Sequence, residues 1–174
     1  MSHLLLVLGG ARSGKSAYAE QRVRAVGDDV AYVATLLPGD PASDARIADH
    51  RARRPPHWWT VEAGHDVAAA IRACGAHAAM LLDGFELALS LAEPADDAAA
   101  RALAEEVAAA ARYAAAELSV VVSAEAGMGV VPSTQAGAVF RDRLGSANQV
   151  LAMHADEVVL VVAGLPLWLR GTAP

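Results

Sequence analysis

Gly9-Gly10-Ala11-Arg12-Ser13-Gly14-Lys15-Ser16 fits the pattern G-x-x-x-x-G-K-[ST], with the apolar run Leu4 to Leu8 before it and a helix-compatible stretch after it. The chemistry of that pattern is phosphate binding. Backbone N–H groups of the glycine-rich turn and of the helix start converge on an anion, and the helix N-terminus adds partial positive charge. Lys15 reaches the β- and γ-phosphates of a nucleoside triphosphate, and the Ser16 hydroxyl is a ligand for Mg2+. Lys15 is also the only lysine; every other basic residue of the Lys+Arg set is an arginine. A lysine kept at this one position implies that a guanidinium does not serve there.

Two further groups of residues fit the same chemistry. Asp83 closes the apolar run Met80-Leu81-Leu82. An acid at the end of a strand beside a phosphate loop holds Mg2+ or its water; the alternative is an aspartate that caps the next turn. Arg46, His50 and Arg54 are spaced i, i+4, i+8, with Arg51 and Arg53 nearby. Neighbouring positive charge disfavours imidazolium and biases His50 towards the neutral, nucleophilic form, while the arginines can neutralise a phosphate under attack. The alternative is a solvated basic helix face with an incidental histidine. His3, His57, His65, His77 and His154 have no metal-ligand spacing and read as surface or cap residues. Cys74 reads as a packed helical residue. Trp58 and Trp59 read as core cover, or one of them as a contact for a base, and Glu62 as a surface carboxylate.

Alternating apolar strands and helices must position these groups. Strands are expected at His3 to Leu8, Val30 to Thr35, Trp58 to Glu62, Ala78 to Leu82, Val120 to Ser123 and Val158 to Val162, with a last short one at Leu167 to Leu169. Helices are expected at Gly14 to Ala25, Ser43 to about Arg54, Asp66 to Ala73, Asp97 to Leu118, and from a Ser133 or Thr134 cap to about Met153. Continuous apolar strands between helices indicate a mostly parallel sheet covered on both faces, an α/β fold. With no linker and no internal repeat, residues 1–174 read as a single P-loop domain. Ligands of such sheets sit at the carboxyl ends of the strands, so the loops at 9–16, 35–42, 83–86 and 124–132 should share one edge.

The composition agrees. A chain of 174 residues, 55% hydrophobic, suits one core. The net charge of -6 argues against nucleic acid as the main partner. One cysteine, no signal peptide and no apolar run near the ~20 residues of a membrane span indicate a soluble cytoplasmic protein.

The ordered motifs resemble the bifunctional adenosylcobinamide kinase / adenosylcobinamide-phosphate guanylyltransferase family of cobalamin assembly. They run from the phosphate loop through Tyr32-Val33-Ala34-Thr35, Arg46-Ile47-Ala48-Asp49-His50-Arg51, Arg54-Pro55, Trp58 and Thr60-Val61-Glu62. They continue with Gly127-Met128-Gly129-Val130-Val131-Pro132, Phe140-Arg141-Asp142, Gly145, Asn148-Gln149, Ala155-Asp156-Glu157-Val158 and Val161 to Pro166. The resemblance implies phosphorylation of the aminopropanol hydroxyl of adenosylcobinamide by a nucleoside triphosphate, ATP or GTP. GMP is then transferred from GTP to that phosphate, through a guanylylated histidine that maps onto His50. It also implies nucleotide contacts from Gly9, Gly10, Ala11, Arg12, Ser13, Gly14, Lys15 and Ser16, from Ala34, Thr35 and Leu36, from Arg51, Ala52, Arg53 and Arg54, and from Glu62 and Asp83. A RecA-like core and a homotrimer are implied as well. The chain departs from the family pattern near the expected active edge, where the insertion that often follows residues 84–88 is short. Ala124 stands where the family usually has Asn, with Ala126 where Val is common, and Gly84-Phe85-Glu86-Leu87-Ala88 replaces Cys-Leu-Thr-Leu-Trp.

Overall fold

The computed structural model describes residues 1–35, 48 and 54–172. Its strands are β1 His3–Gly9, β2 Val30–Ala34, β3 Trp59–Glu62, β4 Ala79–Asp83, β5 Leu118–Ala124, β6 Glu157–Val162 and β7 Leu165–Arg170. The helices among the described residues are α1 Lys15–Val26, α2 Val67–Ala73, α3 Phe85–Ala92, α4 Asp97–Arg112 and α5 Gln135–His154. The helix expected from Ser43 to about Arg54 lies almost wholly outside the described residues.

The strands form one seven-stranded sheet in the order β3-β2-β4-β5-β1-β6-β7. All neighbours pair in parallel except β6 and β7. β1 is hydrogen-bonded on both sides, by β5 and β6, and Leu4 to Val7 are no more than 1% exposed. Its side chains alternate between faces. Leu4 and Leu6 pack with α2, α3, α4 and α5, whereas Leu5 and Val7 pack with Ala19 and Val23 of α1 and with Trp58. The same alternation runs through β2 and β4: Val30, Tyr32 and Ala34, like Ala79 and Leu81, belong to the α1 face. Asp83 continues that row, so its carboxylate is aimed at the start of α1.

Several boundaries differ from the sequence expectation, each for a physical reason. α3 is an added helix, directly after β4, where a loop was expected. Gly84 at φ 99 turns the chain out of the strand, and a Cβ there would sit 2.9 Å from Thr35 Oγ1. α4 stops at Arg112 rather than running to Leu118, because Leu118 opens β5, in register with His3 and Ala79. The alanine run alone carries no stop signal. β7 spans Leu165–Arg170 and is antiparallel, because Ala163 (φ 52) and Gly164 (φ 79) make a two-residue turn with both angles positive. Trp58 is buried as expected, but Trp59 is 60% exposed. Thr134, not Ser133, caps α5 by accepting from Gly137 N–H.

The Ala155-Asp156-Glu157-Val158 motif ties β6 to β1. Asp156 accepts from Leu4 N at 2.8 Å and Arg112 at 2.9 Å, and Glu157 accepts from Arg22 at 2.9 Å. No helix among the described residues is long and apolar enough to cross a membrane.

α4 lies close to the sheet and α5 because its inner positions are small: Ala100, Ala104, Ala108 and Ala111 are all 0% exposed. Ala104→Leu is expected to overpack this seam and lower stability by about 1–3 kcal/mol, as read by urea denaturation, whereas the exposed Ala98→Leu leaves the midpoint nearly unchanged.

Candidate active site

The parallel strands end along one edge, at Gly9, Ala34, Glu62, Asp83, Ala124 and Val162. The phosphate loop is built there from its neighbours. Glu125 N donates to Gly9 O at 3.0 Å, and Gly164 N donates to Ser13 O at 2.8 Å. The turn after β6 therefore buttresses the loop. Gly14, the N-cap of α1 at φ 95, faces it so closely that a Cβ would meet Gly164 Cα at 3.2 Å. Ser13 N donates to Gly10 O at 3.3 Å, and Lys15 N to Ser13 Oγ at 3.4 Å. Lys15 Nζ folds back onto Gly10 O at 3.4 Å, its ammonium held over the loop. Ala11 and Arg12 lie on the exposed outer side, with Arg12 at φ 56.

Ser16 and Asp83 meet, although β5 lies between β1 and β4. Ser16 Oγ donates to Asp83 Oδ1 at 2.9 Å, and Asp83 is 8% exposed. These two hard oxygen donors at a helix N-terminus fit a small divalent cation beside phosphate oxygens. Sequence reasoning missed the partner of the other carboxylate oxygen: Tyr32 Oη donates to Asp83 Oδ2 at 2.7 Å. Burial first, then the charge of Asp83, raise the Tyr32 phenol well above its ordinary range and keep the proton on it. Strict alternation in β2 was the signal that could have found it.

The other named residues fall in three groups. Thr35 is buried, and its hydroxyl donates to the carbonyls of Asp83 (2.9 Å) and Gly84 (3.0 Å). Ala34 O accepts from Ala63 N at 2.8 Å. Both therefore pin the end of β2 to its neighbours. Arg54 lies over the Tyr32 ring at 3.4 Å and, with Pro55, Pro56, Trp58, Thr60 and the exposed Glu62, lines a cavity of about 270 Å³. Leu36, His50, Arg51, Ala52 and Arg53 lie outside the described residues, and so does Arg46. Among the remaining histidines, His3, His77 and His154 each face a carboxylate: Glu157, Asp29 and Glu105 respectively.

Both departures from the family pattern touch one contact. Glu86, in the first turn of α3, accepts from Ala124 N at 3.0 Å through Oε2. Burial raises its pKa; its own backbone N–H, the Lys15 charge and the Ala124 N–H oppose that, and Asp83 adds to it. The end of β5 is braced from its other side by Asn148, which accepts from Ser123 Oγ at 2.7 Å and donates to Ala124 O at 3.0 Å.

A mostly parallel sheet with a phosphate loop after an interior strand, and a strand-end aspartate facing the loop serine, defines the P-loop class of nucleoside-triphosphate-binding α/β proteins. Within that class, the chain belongs to the cobinamide kinase / cobinamide phosphate guanyltransferase family, whose profile matches residues 5–169. It is 38% identical to the bifunctional adenosylcobalamin biosynthesis protein CobP of Pseudomonas aeruginosa, over 95% of this chain and 96% of that one. It is 39% identical to the bifunctional adenosylcobalamin biosynthesis protein CobU of Salmonella typhimurium, over 96% of this chain and 99% of that one. To the CobU protein of Escherichia coli it is 36% identical, over the same shares.

Two outcomes follow from this geometry. Lys15→Arg is expected to weaken GTP binding at least about tenfold, some 1.4 kcal/mol, in isothermal titration, because a planar guanidinium cannot take the ammonium's place over Gly10 O. Glu86 holds its proton more tightly in the folded than in the unfolded chain. Its contribution to stability is therefore largest at low pH and declines as pH rises from its ordinary value near 4.5. Glu86→Gln should remove that decline, so thermal melts at pH 8 should favour the variant more than melts at pH 4.

Proposed function

We propose that residues 1–174 act as one catalytic domain that phosphorylates adenosylcobinamide and then transfers GMP from GTP to the resulting phosphate, giving adenosylcobinamide-GDP and pyrophosphate. The observation that carries this reading is the Lys15–Ser16–Asp83 arrangement at the phosphate loop of a chain that belongs to the family. In the first reaction the loop amides and Lys15 hold the β- and γ-phosphates, and the transferred group gains stabilisation from donors already in place. Ser16 and Asp83 would hold Mg2+, which when bound neutralises charge on the phosphate oxygens. Gly9 to Ser16, Ala34 to Leu36, Arg51 to Arg54, Glu62 and Asp83 form the nucleotide contacts in this reading.

In the second reaction the neutral His50 imidazole attacks the α-phosphorus of GTP. A nitrogen–phosphorus bond forms, the bond to the β-phosphate oxygen breaks, and pyrophosphate leaves with that electron pair. An oxygen of the corrinoid phosphate then attacks the same phosphorus and releases the imidazole. The arginines around His50 lower the charge repulsion between phosphate groups. An apolar rim suits a large corrinoid: Met128, Val130 and Val131, in the loop after β5, are 71%, 94% and 73% exposed at this edge. In this reading the protein acts in the cytoplasm, where the nucleoside triphosphates are supplied.

GTP labelled at the α-phosphate tests the reading. With divalent metal present, acid-labile and alkali-stable label is expected on the denatured protein, and none on His50→Ala. Label that persists in the variant, or no label on a wild-type protein that binds GTP, would refute the role of His50.

We also propose a homotrimer. The reading is supported by Val162, Leu165 and Leu167, which lie on one face of the β6–β7 hairpin and are each more than half exposed. Leu167→Asp should convert a three-chain mass to that of one chain in light scattering, and a wild-type protein of one-chain mass would end the proposal.

A further inference from the structure

We infer that Tyr32 is a positioning residue of this site: its hydroxyl orients the Asp83 carboxylate for the divalent cation of the bound nucleotide. The inference rests on the reading of Ser16 and Asp83 as ligands of that cation. Tyr32 stands in the middle of β2, 1% exposed, on the face that α1 covers. Packing alone would be met by phenylalanine there, and a buried phenol without a partner is costly. The partner is the carboxylate itself, at 2.7 Å.

The consequence is geometric. Ser16 takes Oδ1 and Tyr32 takes Oδ2, one hydroxyl on each oxygen. Rotation of the carboxylate about its Cβ–Cγ bond would break both contacts. Its plane is therefore set before any cation arrives. Hydrogen bonds of this kind, one step removed from a metal, orient its ligands and tune affinity by ten- to hundredfold.

The ring is fixed independently of the hydroxyl. Arg54 lies over the ring at 3.4 Å, and Trp58 stacks with it at a centroid distance of 6.3 Å. Arg24 covers Trp58 in turn, at 5.2 Å. The Arg54 Nε is buried with no hydrogen-bond partner among the described residues. Tyr32→Phe thus keeps the column and removes one hydroxyl.

The test is Mn2+ binding to the whole chain with a non-hydrolysable GTP analogue, read from the electron paramagnetic resonance of the free ion. Tyr32→Phe is expected to bind Mn2+ about tenfold more weakly, with metal-free analogue affinity within twofold of wild type. Phosphorylation of adenosylcobinamide should show a raised Mg2+ requirement, with kcat recovering at saturating metal. Equal Mn2+ affinities in the two proteins would overturn the inference while leaving the cation reading intact. A drop in metal-free analogue affinity as large as the drop for Mn2+ would also overturn it, since that marks a general distortion. A wild-type complex that binds no Mn2+ would overturn the cation reading, and the role of Tyr32 with it.

Discussion

The structure depends on β1 being paired on both sides and buried on both faces. Such a strand has no freedom in register, because a shift of one residue would exchange its two rows of leucine and valine between unlike faces. Its last residue, Gly9, is therefore fixed in space, and the phosphate loop starts from a fixed point. The loop is then held by backbone contacts from both flanking strands, through Glu125 after β5 and Gly164 after β6. A loop held this way needs little ordering when an anion arrives, and the cost of binding falls accordingly.

The same alternation accounts for the meeting of Asp83 and Ser16. A carboxylate on β4 is two strands away from β1, with β5 between them. It reaches the serine because residues 79, 81 and 83 share the face that α1 covers, and because α1 begins where β1 ends. One face of the sheet thus receives α1, Tyr32, Trp58 and Asp83, while the opposite face receives α2 to α5 and most of the apolar bulk. Chemistry and bulk packing are largely separated across the sheet. The alanine-lined α4 belongs wholly to the packing side, which is why its low-complexity sequence carries no polar signal.

How much of this was legible depended on whether the signal was local. The phosphate loop, the strand that precedes it and Asp83 are local patterns, and the structure brings them together. α3 was not legible because its start depends on Gly84 adopting a left-handed angle next to the Thr35 side chain, a contact between β2 and β4. The end of α4 was hidden because an alanine run gives no boundary until the sheet claims Leu118. Tyr32 belongs to the Tyr32-Val33-Ala34-Thr35 motif, but its partner lies 51 positions away. Only the pairing of β2 with β4, which sets Ala34 beside Asp83 and Tyr32 on the same row, makes that contact predictable. His50 stands apart: its case rests on helical spacing and family membership.

Ala124 and Glu86 look like losses when each is compared with the family alone, but the structure joins them. An asparagine at 124 would bring its own amide to the edge; alanine brings none, and the Glu86 carboxylate reaches across to the backbone N–H of that residue. The exchange is not electrostatically neutral. It adds an ionisable group within the field of Lys15 and Asp83, and burial already disfavours its charged form. Neutral Glu86 keeps its contact with Ala124 N, since a protonated carboxyl retains an accepting oxygen. The brace between α3 and β5 is therefore available in either protonation state of Glu86, so the departure is compatible with an intact site.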